Sequence, residues 1–339
     1  MNERCVLDNG LLQAVILPSE GGRVQSLRSP ASGTEFLMQA RQPRTQWTAA
    51  MNARFRDGSA AGIEECLPSV APSSALTEGG EVPDHGDFWQ MPWQLEEGAT
   101  SHQAAIHAHG FSRPLWFRKK FTLHRHALSV RYTVLNTGKA PVSFLYACHP
   151  LLEVDAGDRI VLPSSTTSLH LYSSRNQRLG ADHTMVTWPH HAGMDLSMVQ
   201  PEHSGIAEML YSGRMQEGWC GLYRAQSRCG IVLRFHPDEL PYLGLWLCYG
   251  GWPDNQSGPL QYAVAPEPTF APHGSLLEAQ QHQVAPVLTP GATRGWTITF
   301  EATPGAMDFD AFVSHCQHPK ETQNVETVPV PHARCGDRP

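Results

Sequence analysis

Apolar and polar positions alternate along most of this chain. The clearest run spans residues 117–135. Phe117, Phe121 and Leu123 lead into Leu128, Val130, Tyr132 and Val134, and Ser129, Arg131 and Thr133 fall between the latter. A period of two is the signature of a strand with one buried face. The same period recurs where Leu243, Leu245 and Leu247 alternate with Gly244, Trp246 and Cys248, and again at Trp296, Ile298 and Phe300. Shorter apolar runs at 11–17, 160–162, 169–172 and 231–235 are bounded by turn formers such as Pro18 to Gly22, Ser29 to Gly33 and Asn136 to Gly138. Residues 41–80 read as irregular. Helical periodicity is nearly absent, with one short helix expected at Asp308 to His315. Many short strands and almost no amphipathic helix predict an all-β sandwich in one domain. Its expected bounds are 1–303, followed by a short helical segment at 304–316 and a flexible tail at 317–339.

Composition narrows the picture. The chain has 339 residues, 41% of them hydrophobic and 17% charged, which suits a folded domain with a large core. A net charge of −7 argues against nucleic acid as the main partner. No apolar stretch is long enough to span a membrane, and residues 1–4 run directly into an alternating segment without the apolar core of a secretory signal. The eight cysteines are scattered and form no C-x-x-C pair, which fits reduced thiols in the cytoplasm. The sequon Asn255-Gln256-Ser257 would matter only in a secreted protein.

Four places carry candidate chemistry. Glu267 stands between Pro266 and Pro268. A proline on each side restricts the backbone and removes two donors, which could fix one carboxylate in place or simply stiffen a surface turn. His149 ends an apolar strand at a His-Pro step, where ladder pairing stops. Such a histidine is either a satisfied core residue or an acid–base group, and a facing carboxylate would favour the second. In residues 81–93, His85 lies between Asp84 and Asp87 with Phe88, Trp89 and Trp93 nearby. Carboxylates favour the charged imidazole, and flat aromatic faces suit the C–H faces of a sugar ring. Glu64 and Glu65 precede Cys66-Leu67-Pro68, either as a surface turn or as acids lining a cleft. The basic stretch Arg118, Lys119, Lys120, Arg125 and His126 reads as a solvated strand face, with a phosphate site as the alternative. His102, His107 and His109 do not have a standard zinc spacing.

Taken in order, Asp84-His85-Gly86, Tyr146-Ala147-Cys148-His149-Pro150 and Pro266-Glu267-Pro268-Thr269 give the chain a resemblance to the aldose 1-epimerase (galactose mutarotase-like) family. Gly21 to Leu27, Gly33-Thr34-Glu35 and Leu240 to Trp252 also look like that family, so the resemblance spans about residues 5–300. It implies a large twisted antiparallel β-sandwich with a sugar cleft across one sheet. It implies that His149 is the catalytic acid, Glu267 the catalytic base and His85 a sugar contact. Trp246 is a stacking candidate, and Glu64 occupies the early loop as a further binding candidate. The substrate-binding arginine and aspartate of the galactose-converting members have no clear counterpart, so the branch is divergent.

The implied reaction interconverts the α and β anomers of an aldose. A base takes the anomeric hydroxyl proton while an acid protonates the ring oxygen, and neither transfer needs a metal or a redox cofactor. The expected partner is a small sugar, with no nucleic acid or membrane, in a monomer or homodimer. Two further readings are a non-catalytic carbohydrate-binding protein of the same fold and an epimerase of phosphorylated or oxidised sugars.

Overall fold

The computed structural model describes residues 4–41, 49–57, 60–253, 259–303 and 305–318. Two antiparallel sheets share one core. The larger has ten strands, in the order Cys5–Asp8, Gln13–Leu17, Arg23–Arg28, Ile63–Cys66, Ala147–Pro150, Tyr262–Thr269, Tyr242–Tyr249, Ile206–Ser212, Ser168–Ser174 and Met185–Thr187. The smaller has eight: Arg159–Val161, Trp219–Arg224, Cys229–Phe235, Thr293–Ala302, Ala127–Asn136, Leu115–His124, Gln103–His109 and Gln94–Leu95. This is the sandwich that the alternation predicts. Phe117, Phe121, Val130, Tyr132, Trp296 and Ile298 from the smaller sheet meet Ile63, Cys148, Leu243, Leu245 and Leu247 from the larger. Each fully buried side chain of this size contributes about 1.5–3 kcal/mol.

Several local expectations change. Residues 41–80 are not all irregular, because Ile63–Cys66 is a fully buried strand and Glu64 and Glu65 lie on it, not in a loop. Lys119 is not on a solvated face. Strand alternation turns it inward between Arg118 and Lys120, and it is 0% exposed. It pairs there with Glu65 at 3.4 Å. The C-terminal helix runs Phe309–Gln317, capped by the Asp308 side chain on the Ala311 N–H. A second helix, Leu276–Gln281, was not signalled by periodicity, being too short to show one. All seven described cysteines are buried. The sequon at 255–257 and the tail from 319 lie outside the described residues. Among those described, no helix is long and apolar enough to cross a membrane.

The prolines beside Glu267 shape the middle of the larger sheet. The Val264 carbonyl accepts the Leu152 N–H at 2.9 Å, so even-numbered residues of Tyr262–Thr269 turn their backbone polar groups toward the Ala147–Pro150 side. Pro266 and Pro268 have no N–H to offer there. Pairing on that side is reduced to Ala147 with Thr269 and Leu152 with Val264. Both bridges share one register, which sets His149 opposite Glu267.

Candidate functional site

Cross-strand register builds the site as a row. Glu64 faces His149, His149 faces Glu267, Glu267 faces Gly244, Gly244 faces Tyr211, and Tyr211 faces His170. Directly opposed residues share a face. This row lies on the outer face of the ten-stranded sheet, because Ile63, Cys148 and Leu243, its chain neighbours, point into the core. Gly244 is required here. A Cβ at 244 would come within 2.7 Å of Met209 Cε and 3.2 Å of both Glu267 Cβ and Tyr211 Cε1.

His149 and Glu267 are therefore brought together. Their nearest atoms, Nε2 and Oε1, are 3.6 Å apart, with side chains 7% and 3% exposed. They form part of the lining of a cavity of about 180 Å³, with His85, Asp84, Tyr172 and Trp246 around it. His85 adopts a left-handed backbone (φ 57°) at the loop tip. Its Nδ1 meets Asp84 Oδ1 at 2.7 Å and its ring stacks on Phe55 at 3.9 Å. The other Asp84 oxygen accepts the Phe55 N–H at 2.9 Å. The His85 ring then meets the His149 ring edge-on at 5.4 Å. Only one of the two flanking aspartates takes part, because Asp87 accepts the N–H groups of Phe111 and Ser112 instead. Trp246 donates from Nε1 to Gln261 and holds its ring at the cavity wall.

Burial dominates the electrostatics. It pushes the Glu267 carboxyl up to about 8. It also drives the His149 imidazole down to about 3, helped by the His85 charge and opposed weakly by Asp84. Burial therefore works against protonation of His149, contrary to the expectation for a resident acid. Both shifts favour placing a proton shared by the pair on Glu267. Asp84 lies below the usual carboxylate range: burial raises it, but the hydrogen bond from His85 and the charges of His85 and Arg56 outweigh burial.

Glu64 is placed beside His149 but is buried and does not line the cavity. His107 sits on the smaller sheet with its Nδ1 3.2 Å from Glu96. Among the described residues, no group of three or more His, Cys, Asp or Glu side chains could hold a metal.

The geometry agrees with an independent comparison of the sequence, in which the family model described as aldose 1-epimerase matches residues 3–178. The chain belongs to the aldose 1-epimerase family. None of the curated proteins matches it. Among solved structures, the Slr1438 protein of Synechocystis sp. PCC 6803 is similar over 90% of this chain and 96% of its own, with a TM-score of 0.66 and 15% identity. A galactose mutarotase related enzyme from Lactobacillus acidophilus matches over 90% and 99%, with a TM-score of 0.63 and 15% identity. A galactose mutarotase-like protein from Lactobacillus casei ATCC 334 matches over 89% and 100%, with a TM-score of 0.62 and 16% identity. At these identities the likeness establishes the fold, a galactose mutarotase-like sandwich.

The sequence missed Phe55, Tyr172, Tyr211 and Gln261 as parts of this aldose 1-epimerase family cavity. Tyr211 had a signal, since Ile206–Ser212 is a strand of the right length flanked by Gly205 and Gly213. Phe55 had none, because its role is to stack on a histidine thirty residues away.

Proposed function

We propose that this protein is an aldose 1-epimerase acting on a neutral aldose, with Glu267 as base and His149 as acid. The observation that carries this reading is the 3.6 Å approach of His149 Nε2 to Glu267 Oε1 in a cavity walled by Trp246 and His85. Glu267 takes the proton from the anomeric hydroxyl. His149 gives a proton to the ring oxygen as the C1–O bond breaks. The aldehyde turns about C1–C2, and the two protons return on closure to the other face. Positioned acid–base groups of this kind contribute about 10²–10⁴-fold each.

Ring opening takes the pair from ionised Glu267 and protonated His149 to protonated Glu267 and neutral His149. Burial by itself favours the second distribution. Sugar hydroxyls donating to Glu267 would favour its ionised form and move the proton to His149 before chemistry. His85 and Trp246 would hold the rest of the ring. No lysine or arginine is among the described residues that line this cavity, and both Asp84 and Glu267 are acidic. On the eight-stranded sheet, Arg118 is engaged by Glu96 and Lys119 by Glu65 from the core face of the larger sheet. This favours a neutral sugar over a phosphorylated or oxidised one.

The test is the rate of anomer exchange, by polarimetry or NMR, on freshly dissolved α-glucose, α-galactose and other aldoses. Acceleration that disappears in both His149→Asn and Glu267→Gln supports the reading. Binding without acceleration by the wild type would replace it with a carbohydrate-binding role.

A further inference from the structure

The row of opposed residues across the ten-stranded sheet runs on past the acid–base pair. After Glu267 comes Gly244, and after Gly244 comes Tyr211. Tyr211 stands on the outer face, because Leu210 before it points into the core. It is 1% exposed and lines the same cavity as His149 and Glu267. Two strand spacings, about 10 Å, separate its Cα from that of Glu267. Gly244 lies between them and carries no side chain. A Cβ there would lie 3.2 Å from Glu267 Cβ on one side and 3.2 Å from Tyr211 Cε1 on the other. The tyrosine ring therefore leans across Gly244 toward the glutamate.

The ring of Tyr211 is held, but its hydroxyl is not. The ring meets Tyr172 edge-on at 5.7 Å. Tyr172 is anchored in turn, because its hydroxyl reaches both carboxylate oxygens of Glu278, at 3.0 and 3.2 Å, on the helix Leu276–Gln281. The Tyr211 hydroxyl makes no hydrogen bond among the described residues. Burial first, and then the Glu267 carboxylate, push this phenol well above its usual pKa, so it stays a neutral hydroxyl. A fixed ring thus carries an uncommitted O–H beside the base.

The order of the row matches the order of oxygens around an aldose ring. The match rests on the proposed function, in which His149 acts on the ring oxygen and Glu267 on the anomeric hydroxyl. Both of those oxygens are bonded to C1. The other neighbour of C1 is C2, on the side away from the ring oxygen. In the sheet, His149 and Tyr211 flank Glu267 from opposite sides. A sugar that sets its ring oxygen at His149 and its anomeric hydroxyl at Glu267 therefore turns its C2 edge to Tyr211.

We propose that Tyr211 is a specificity-determining residue whose hydroxyl bonds the 2-hydroxyl of the sugar. After ring opening C1 must swing about the C1–C2 bond, so a hold that permits catalysis begins at C2. Tyr211 fixes that pivot and leaves C1 free. The preferred substrates are then aldoses with a hydroxyl at C2, and 2-deoxy aldoses lose this contact.

Anomer exchange would be followed by NMR for glucose, galactose and the 2-deoxy analogue of each, on wild type and Tyr211→Phe. Phenylalanine keeps the ring against Tyr172 and strands no polar group. Tyr211→Phe should lower kcat/KM on the parent sugar by about tenfold. On the 2-deoxy analogue it should stay within about twofold of wild type, because neither partner of the bond remains. Equal losses on parent and analogue, as a merely structural role would give, or no loss on the parent, would overturn the assignment. Failure of the epimerase reading would show separately, in the wild type, as absence of exchange on every sugar, and would take the assignment with it.

Discussion

Two buried acid–base pairs lie on opposite faces of the same sheet. On the core face, Lys119 approaches Glu65 at 3.4 Å. On the outer face, His149 approaches Glu267 at 3.6 Å. Burial acts on both in the same sense, raising the acid and lowering the base. They differ in what else surrounds them. Lys119 also donates to the Gly22 carbonyl at 2.6 Å and lies over the Trp93 ring at 4.5 Å. Glu65 accepts from Tyr132 at 3.1 Å on one oxygen and from Tyr146 at 2.8 Å on the other. Glu267 Oε2 and His149 Nδ1 have no hydrogen-bond partner among the described residues. The core pair is saturated and ties the two sheets together. The outer pair keeps hydrogen-bonding capacity that the proposed sugar substrate would use.

Breaking the core pair should have the largest effect on stability. Lys119→Met leaves Glu65 buried without its cation and should cost about 3–5 kcal/mol in denaturant unfolding. Adding Glu65→Leu should recover part of that loss. Next, Gly244→Ala should cost about 1–3 kcal/mol by crowding Met209, Tyr211 and Glu267, and should lower activity as well. Asp84→Asn should act on function alone. It removes the carboxylate charge beside His85 and leaves one acceptor oxygen where His85 Nδ1 and the Phe55 N–H now use two, so KM for anomer exchange should rise by about tenfold, with a melting temperature close to wild type.

The smallest effect sharpens the comparison most, because its sign is opposite. Glu267→Gln should stabilise the protein by about 1 kcal/mol at pH 8. Glu267 has a raised folded pKa, so its contribution is fully present below its usual value of 4.5 and is lost as pH rises to about 8. The gain in Glu267→Gln should therefore shrink toward zero near pH 4.5, as thermal melts at several pH values would show. Removing the acid from the core pair, by contrast, should destabilise at every pH.

The fold was legible in the sequence because alternation marks sheets directly: Phe117 to Val134 and Leu243 to Leu247 are strands as expected. His149, Glu267 and His85 were legible because each carries a local mark, a His-Pro, Glu-Pro or His-Gly step. What stayed hidden depends on register. Nothing near Lys119 says that it faces Glu65 and not water, since its neighbours Arg118 and Lys120 are also basic. Nothing near Gly244 says that it sits between Glu267 and Tyr211. The proton's position was hidden for a related reason, because it depends on how deeply both partners are buried.

The most direct test is the rate of anomer exchange followed by NMR from pH 5 to 9, with wild type and Glu267→Gln side by side. Above about pH 8 Glu267 loses the proton the pair shares, and no acid remains. The account predicts wild-type kcat/KM that falls as pH rises through about 8, and a Glu267→Gln rate about 10²–10⁴-fold lower throughout. A Glu267→Gln variant as fast as wild type, or a wild-type profile flat from pH 5 to 9, would contradict it.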